Sequence, residues 1–225
     1  MHRRARHLTG RPAGASYHYD ARRLDLTDGT GVSTWTDLAG SNNATQATAT
    51  NQPTFKTNII NGNPVVRFDG TNDFMAITSG VTISGEHVAI VFVKKSGAQL
   101  PTAVNKTAGL PYTNFCVDSL GTVFTCAGNN KYFQAVISLA SFAIVSAYTD
   151  SSTTYQMYKD GAAVSTSNFA FTFSGNMTHI GARDSGPDWA NGDMAVLIHI
   201  PGSLATSLRR RYEHSIGFSY KTACS

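Results

Sequence analysis

Acidic side chains are scarce in this 225-residue chain, and glutamate is nearly absent: Glu86 and Glu213 are the only two. No two acids stand two or four residues apart within a segment of good strand character, so the strand-borne carboxylate pair of a glycoside hydrolase is missing. Asp184 and Asp188 lie in a loop with Gly186 and Pro187 between them. Charged residues of both signs reach only 14%, against roughly 25% in a typical soluble domain. Three cysteines, an odd number, exclude a complete disulfide framework. Cys116 and Cys126 flank an expected hairpin turned near Ser119-Leu120. Pairing Val117 with Thr122 sets Cys116 against Val123, about 10 Å along the strand from Cys126 and beyond bonding reach. Free thiols, and folding in a reducing compartment, are the expectation. No apolar run reaches the ~18–20 residues of a membrane-crossing helix. Met1–Gly14 is basic and lacks the apolar centre of a secretory signal. Seven scattered histidines show no zinc spacing. Gly-x-Ser-x-Gly, a phosphate-binding glycine loop and His-Glu-x-x-His are all absent.

Threonine, serine, asparagine and glycine fill the polar share, which suits sugars or crowded assemblies better than nucleic acid. The formal charge of +4 is unevenly placed. Residues 1–23 hold six arginines (Arg3, Arg4, Arg6, Arg11, Arg22, Arg23) against Asp20, leaving twelve cations and thirteen acids for the rest. The basicity therefore belongs to an N-terminal arm. Residues 1–16 show no hydrophobic period and read as a flexible segment, either a plain tail, an anchor for an acidic partner or a short RNA-binding arm.

From Ser16 onward the chain alternates short strand-like runs with Gly, Asp and Asn turns. In Asn63–Asp69, Val66 and Phe68 point one way and Val65 and Arg67 the other, the period of a strand. Asp69-Gly70 then calls for a tight turn, and Phe74–Ile77 reads as the returning strand of a hairpin. Glu86–Lys95 is apolar on both sides, which predicts a central strand. Asp160-Gly161 between Thr154–Lys159 and Ala162–Thr166 predicts a type I′ hairpin. Phe169, Phe171 and Phe173 alternate as another strand. Near the end, Ser203 is a candidate N-cap, and Leu204, Leu208, Tyr212 and Ile216 form one helical stripe closed by Gly217. Arg209-Arg210-Arg211 is expected on the exposed side of that helix.

The order of motifs carries a resemblance. Tyr19-Asp20-Ala21, Trp35-Thr36-Asp37, an Asn-rich loop, Ala44-Thr45-Gln46-Ala47-Thr48, Asn51-Gln52-Pro53, Asn61-Gly62-Asn63-Pro64 and Phe68-Asp69-Gly70 follow one another. This series resembles the laminin-G-like, concanavalin-A-like jelly-roll domains, in the branch found in bacteriophage virion proteins and large bacterial surface proteins. The likeness is tight over residues 17–77 and loose afterwards, where Ile180-Gly181 and Gly192-Asp193-Met194-Ala195 also fit. The loop after Asp37 departs from it, keeping Asn42-Asn43 but lacking a Gly and a His. The resemblance implies an all-β, antiparallel jelly-roll β-sandwich over residues 17–225, with a short C-terminal helix and the arm of residues 1–16 ahead of it.

Candidate binding residues lie in three places. Arg183–Gly192 is the longest polar loop with an aromatic: Trp189 can offer a flat face to a sugar while Asp188, Asn191 and Arg183 bond its hydroxyls, or it can fold back on the sheet edge. Asp69 and Asp73 can ligate calcium, or simply close a turn. Trp35 either stacks on a sugar or packs in the core, with Asp37 capping the next turn. The expected function is a non-catalytic module at a virion surface, assembled in a host cytoplasm and possessing no membrane segment. It would bind host glycan or receptor, or decorate the particle, touching other virion proteins through Arg3, Arg4, Arg6 and Arg11 and forming a homo-oligomer. The rivals are a purely structural capsid or tail decoration protein and a diverged glycan-cleaving enzyme.

Overall fold

The computed structural model describes residues 14–84, 87–95, 100–104, 114–117, 122–127, 131–136, 139–149, 155–167, 174–183, 188–202 and 206–220. Two eight-stranded antiparallel sheets dominate. The first contains β1 (Tyr17–Asp20), β4 (Thr54–Ile60), β5 (Asn63–Asp69), β7 (His87–Lys95), β12 (Ala143–Thr149), β13 (Tyr155–Lys159), β14 (Ala162–Ser167) and β18 (Asn191–Pro201). The second contains β2 (Thr34–Trp35), β3 (Ala44–Thr45), β6 (Met75–Ser84), β8 (Leu100–Val104), β9 (Asn114–Val117), β10 (Thr122–Ala127), β11 (Lys131–Val136) and β15 (Ser174–Ile180). A ribbon of β16 (Ala182–Arg183) and β17 (Asp188–Trp189) stands apart, and one helix, α1 (Thr206–Ser219), closes the described chain. Among the described residues no helix is long and apolar enough to cross a membrane.

Two apolar layers account for this arrangement. Val66, Phe68, Val145, Met157 and Leu197 of the first sheet share one buried cluster with Trp35, Ala44, Met75, Ile77, Met177 and Ile180 of the second. The opposite face of the first sheet buries Val65, Ile144, Val196, Ile198 and Ile200 against Tyr212, Ile216 and Tyr220 of the helical end. The first sheet is thus apolar on both sides. β18 lies at its centre, between β7 on one flank and β5 and β1 on the other, with every residue from Gly192 to Ile200 buried. β7 is central, as its two-sided apolar run predicts, between β12 and β18. Trp35 packs in the shared core, and Asp37 accepts the N–H groups of His18, Ala39 and Asn42, organising the following loop. Asp160 and Gly161 both take positive φ, 49° and 88°, the backbone of a type I′ turn between β13 and β14.

Some expectations are corrected. The stretch after Asp69 is a corner between sheets, whereas its turn chemistry suggested a hairpin. Both edges of β5 are occupied, by β4 and β18. The returning strand β6 therefore joins the other sheet, between β15 and β3. Arg209 is buried at 2% exposure instead of lying on the solvent side, while Arg210 and Arg211 are exposed. The helix also runs through Gly217 to Ser219. In the β9–β10 pair Cys116 faces Phe124 and Cys126 faces Asn114, one residue from the expected register. Ala15 is buried and the Ser16 N–H donates to the His199 carbonyl at 2.9 Å, so the packed chain takes in the last two residues of the expected arm. Residues 1–13, Ser203, Leu204, Phe169, Phe171 and Phe173 lie outside the described residues.

Candidate functional site

The Asp69–Phe74 corner and the Gly181–Asn191 segment meet at one end of the sheets. Asn191 opens β18 opposite Asp69, and its Nδ2 donates to the Asp69 carbonyl at 3.2 Å. Trp189 sits in the small ribbon opposite Ala182, and Arg183 is the register partner of Asp188. The Ala190 N–H donates to the Gly181 carbonyl at 2.7 Å, tying off the ribbon next to Trp189. The Trp189 ring lies 5.9 Å from the Phe74 ring at a tilt of 32°, and Phe74 lies 5.6 Å from His179. All three rings are half-buried, so each keeps part of its surface in solvent.

Phe74 is held at both ends of its peptide. Its N–H donates to the Asn51 carbonyl at 3.2 Å, and its carbonyl accepts from Gln46 Nε2 at 3.2 Å. Gln46 is buried and is itself fixed: its Oε1 accepts the Thr48 N–H and its carbonyl accepts Gln52 Nε2. The Ala-Thr-Gln-Ala-Thr and Asn-x-Pro motifs thus form a brace behind one aromatic residue. These bonds hold the Phe74 peptide, and so the point from which its ring projects, in one place.

Of the residues singled out in the sequence, Trp189 belongs to this aromatic group, and Asn191 supports the corner. Arg183 and Asp188 are register partners in the ribbon, and residues 184–187 fall outside the described set. Asp69 Oδ1 accepts the N–H groups of Thr71 and Asn72, and Asp73 Oδ2 accepts the Asp69 N–H at 2.9 Å. These carboxylate oxygens close the corner itself, whereas calcium takes six to eight oxygen ligands. Among the described residues no group of three or more His, Cys, Asp or Glu converges to hold a metal ion. Phe74 and His179 were missed in the sequence because they lie 105 positions apart and carry no shared motif. A weak local signal existed: Phe74 precedes the buried Met75, so strand alternation turns it away from the core.

Asp73 is 5% exposed, and that burial raises its carboxyl to about pH 6; the nearby Asp69 carboxylate adds to the rise and the Asp69 N–H opposes it. Because the folded-state value lies above the unfolded one, the stabilising contribution is complete below about pH 4 and is lost as pH rises through about 6. Asp73→Asn keeps an acceptor for Asp69 and removes the charge. We expect the variant to match the parent at acid pH and to exceed it by about 2 kcal/mol at pH 8. Urea unfolding across that interval measures the difference, and a gap that does not vary with pH would refute the assignment.

No family model matches the chain, and no curated protein matches it. Solved structures do share its fold. Domain 4 of AbnA, an extracellular GH43 arabinanase from Geobacillus stearothermophilus solved with arabinotriose, superposes with a TM-score of 0.64 at 13% identity, covering 88% of this chain and 97% of that domain. Trypanosoma rangeli sialidase, solved with sialic acid, gives 0.58 at 13% identity, covering 91% of this chain and 33% of the sialidase. The chain thus spans about a third of the sialidase's length. At these identities the likeness is one of fold alone.

Proposed function

We propose that the chain is a non-catalytic glycan-binding module on a jelly-roll sandwich, with Trp189 and Phe74 as the platform for a sugar ring. The observation that carries this reading is the half-buried Trp189–Phe74–His179 group, braced by hydrogen bonds to the Gly181 and Asn51 carbonyls and from the Gln46 side chain. Aromatic faces bury the C–H side of a sugar, and polar loops around them bond its hydroxyls. Asp188 adjoins Trp189 in the chain and Arg183 is its register partner across the ribbon, while Asn191 serves by holding the corner. Two sheets around one core support the jelly-roll description, and a domain of the same fold was solved with arabinotriose. The scarcity of carboxylates supports a binding role over a hydrolytic one.

Display on a phage virion or a bacterial surface rests on the resemblance of residues 17–77. In that setting Arg3, Arg4, Arg6 and Arg11 anchor the module to an acidic neighbour, and repeated copies raise its avidity. A single shallow site binds near millimolar, about −4 kcal/mol, so the effect is read in multivalent form. Trp189→Ala is expected to retain the fold while a tetramerised display loses its binding to a bacterial polysaccharide array. Phe74→Leu should weaken the same signal. A tetramer that binds the array equally well with and without Trp189 would make this surface scaffolding and favour particle decoration.

A further inference from the structure

The outer face of α1 is a second surface, distinct in charge from the aromatic site. The exposed positions of the helix are Thr206, Ser207, Arg210, Arg211, His214 and Phe218. At 100° per residue, Ser207, Arg210, Arg211, His214 and Phe218 fall within an arc of about 100°. Glu213 is the helix's only acid, and it is buried and joined to Arg209, so the exposed arc carries cations alone. Arg210 and Arg211 enter no ion pair among the described residues. Phe218 stands 66% exposed at the far end of the row, one of two large hydrophobic side chains exposed among the described residues. The basic N-terminal sequence enters the fold at Ala15, which is buried in the same cluster as Tyr212, Ile216 and Tyr220 beneath this helix.

We propose that this face docks an acidic segment of a partner protein, one that sets carboxylates against Arg210 and Arg211 and an apolar side chain against Phe218. The charge of the arc selects an anionic partner, and guanidinium groups match carboxylates in bidentate geometry. Seven residues separate Arg211 from Phe218, about 10 Å along the axis, or two helical turns of a partner. The strip is about 20 Å long and one helix wide. That is far smaller than the ~800 Å² per partner of a stable globular interface, and fits a single helix or extended segment. The arc presents hydrogen-bond donors with few acceptors, which suits carboxylates better than the hydroxyls of a neutral sugar.

The test uses the full chain and a fluorescent peptide of glutamate with leucine at every fourth position. Anisotropy should show binding that weakens about tenfold between roughly 0.05 and 0.3 M salt. Arg210→Glu with Arg211→Glu should weaken it at least tenfold at low salt while circular dichroism and array binding stay as in the parent. Arg210→Gln with Arg211→Gln gives an intermediate loss should the reversal disturb folding. Phe218→Ser should weaken binding about threefold and leave the salt dependence in place. Peptide binding that ignores the arginine changes would overturn the site. Heparin or a single-stranded oligonucleotide binding more tightly than the peptide, through the same arginines, would overturn the choice of an acidic protein segment.

Discussion

Glu213→Ala is expected to lower the unfolding free energy by about 3–5 kcal/mol. Glu213 is 1% exposed and accepts hydrogen bonds from Arg209 Nη1 and Ser146 Oγ beneath α1. Arg209 is equally buried, and its guanidinium carbon sits 3.4 Å from the centre of the Tyr158 ring. Removing the carboxylate leaves a buried guanidinium that, among the described residues, has only Ser146 and an aromatic face to offset it. The loss is large against the 5–15 kcal/mol that holds a typical domain together. The pair is not itself a strong source of stability: Arg209 Nη2 and Glu213 Oε2 are buried with no hydrogen-bond partner among the described residues. Arg209→Met with Glu213→Leu should therefore recover most of what Glu213→Ala loses. Denaturant unfolding of the single and double variants checks both statements. A single variant within 1 kcal/mol of the parent would mean that the guanidinium finds water when its partner is removed.

Gly181→Ala is expected to cost about 3 kcal/mol and to displace the ribbon that carries Trp189. Gly181 has φ of +86°, a conformation that costs an L-residue about 1–2 kcal/mol. A methyl group there would also overlap the Phe68 ring, which is 1% exposed and packed into the shared core. Its carbonyl accepts the Ala190 N–H, so movement of this peptide passes directly to the residue beside Trp189. The variant should show both a lower unfolding midpoint and an altered near-ultraviolet aromatic spectrum. Adding Phe68→Leu should relieve part of the overlap and restore part of the stability. Gly181→Ala with parental stability and spectrum would refute this account of the close approach.

Much of the fold could be read before the structure, wherever local chemistry decides the outcome. Asp160-Gly161 turns as its φ preferences require, Trp35 enters the core, and the two-sided apolar run of β7 finds two neighbours. What could not be read depends on pairing between distant strands. A tight turn after β5 looks the same whether the next strand returns beside it or crosses to the second sheet, and the choice was made by β4 and β18 filling both edges. Arg209 was misplaced for a different reason. Residues four apart advance by about 40° around a helix at each step, so the Leu208–Tyr212–Ile216 row drifts, and its continuation to Tyr220 puts position 209 near the centre of the buried arc. The i,i+4 pairing with Glu213 was the available clue. At the candidate site, Trp189 was legible as an aromatic in a polar loop. Phe74 and the brace formed by Gln46 were not, because their roles appear only when three segments converge.

The placement of β18 also decides how the module faces the world. The aromatic group lies near its Asn191 end, while Ser16 joins the sheet at His199, eight residues further along. At strand rise those points are about 27 Å apart, linked by a buried central strand. A chain anchored near Ser16 would hold the aromatic group at the far end of that strand. Copies anchored side by side on a curved support would splay these ends outward, so the spacing between neighbouring aromatic groups would be set by the support's curvature as well as by the protein.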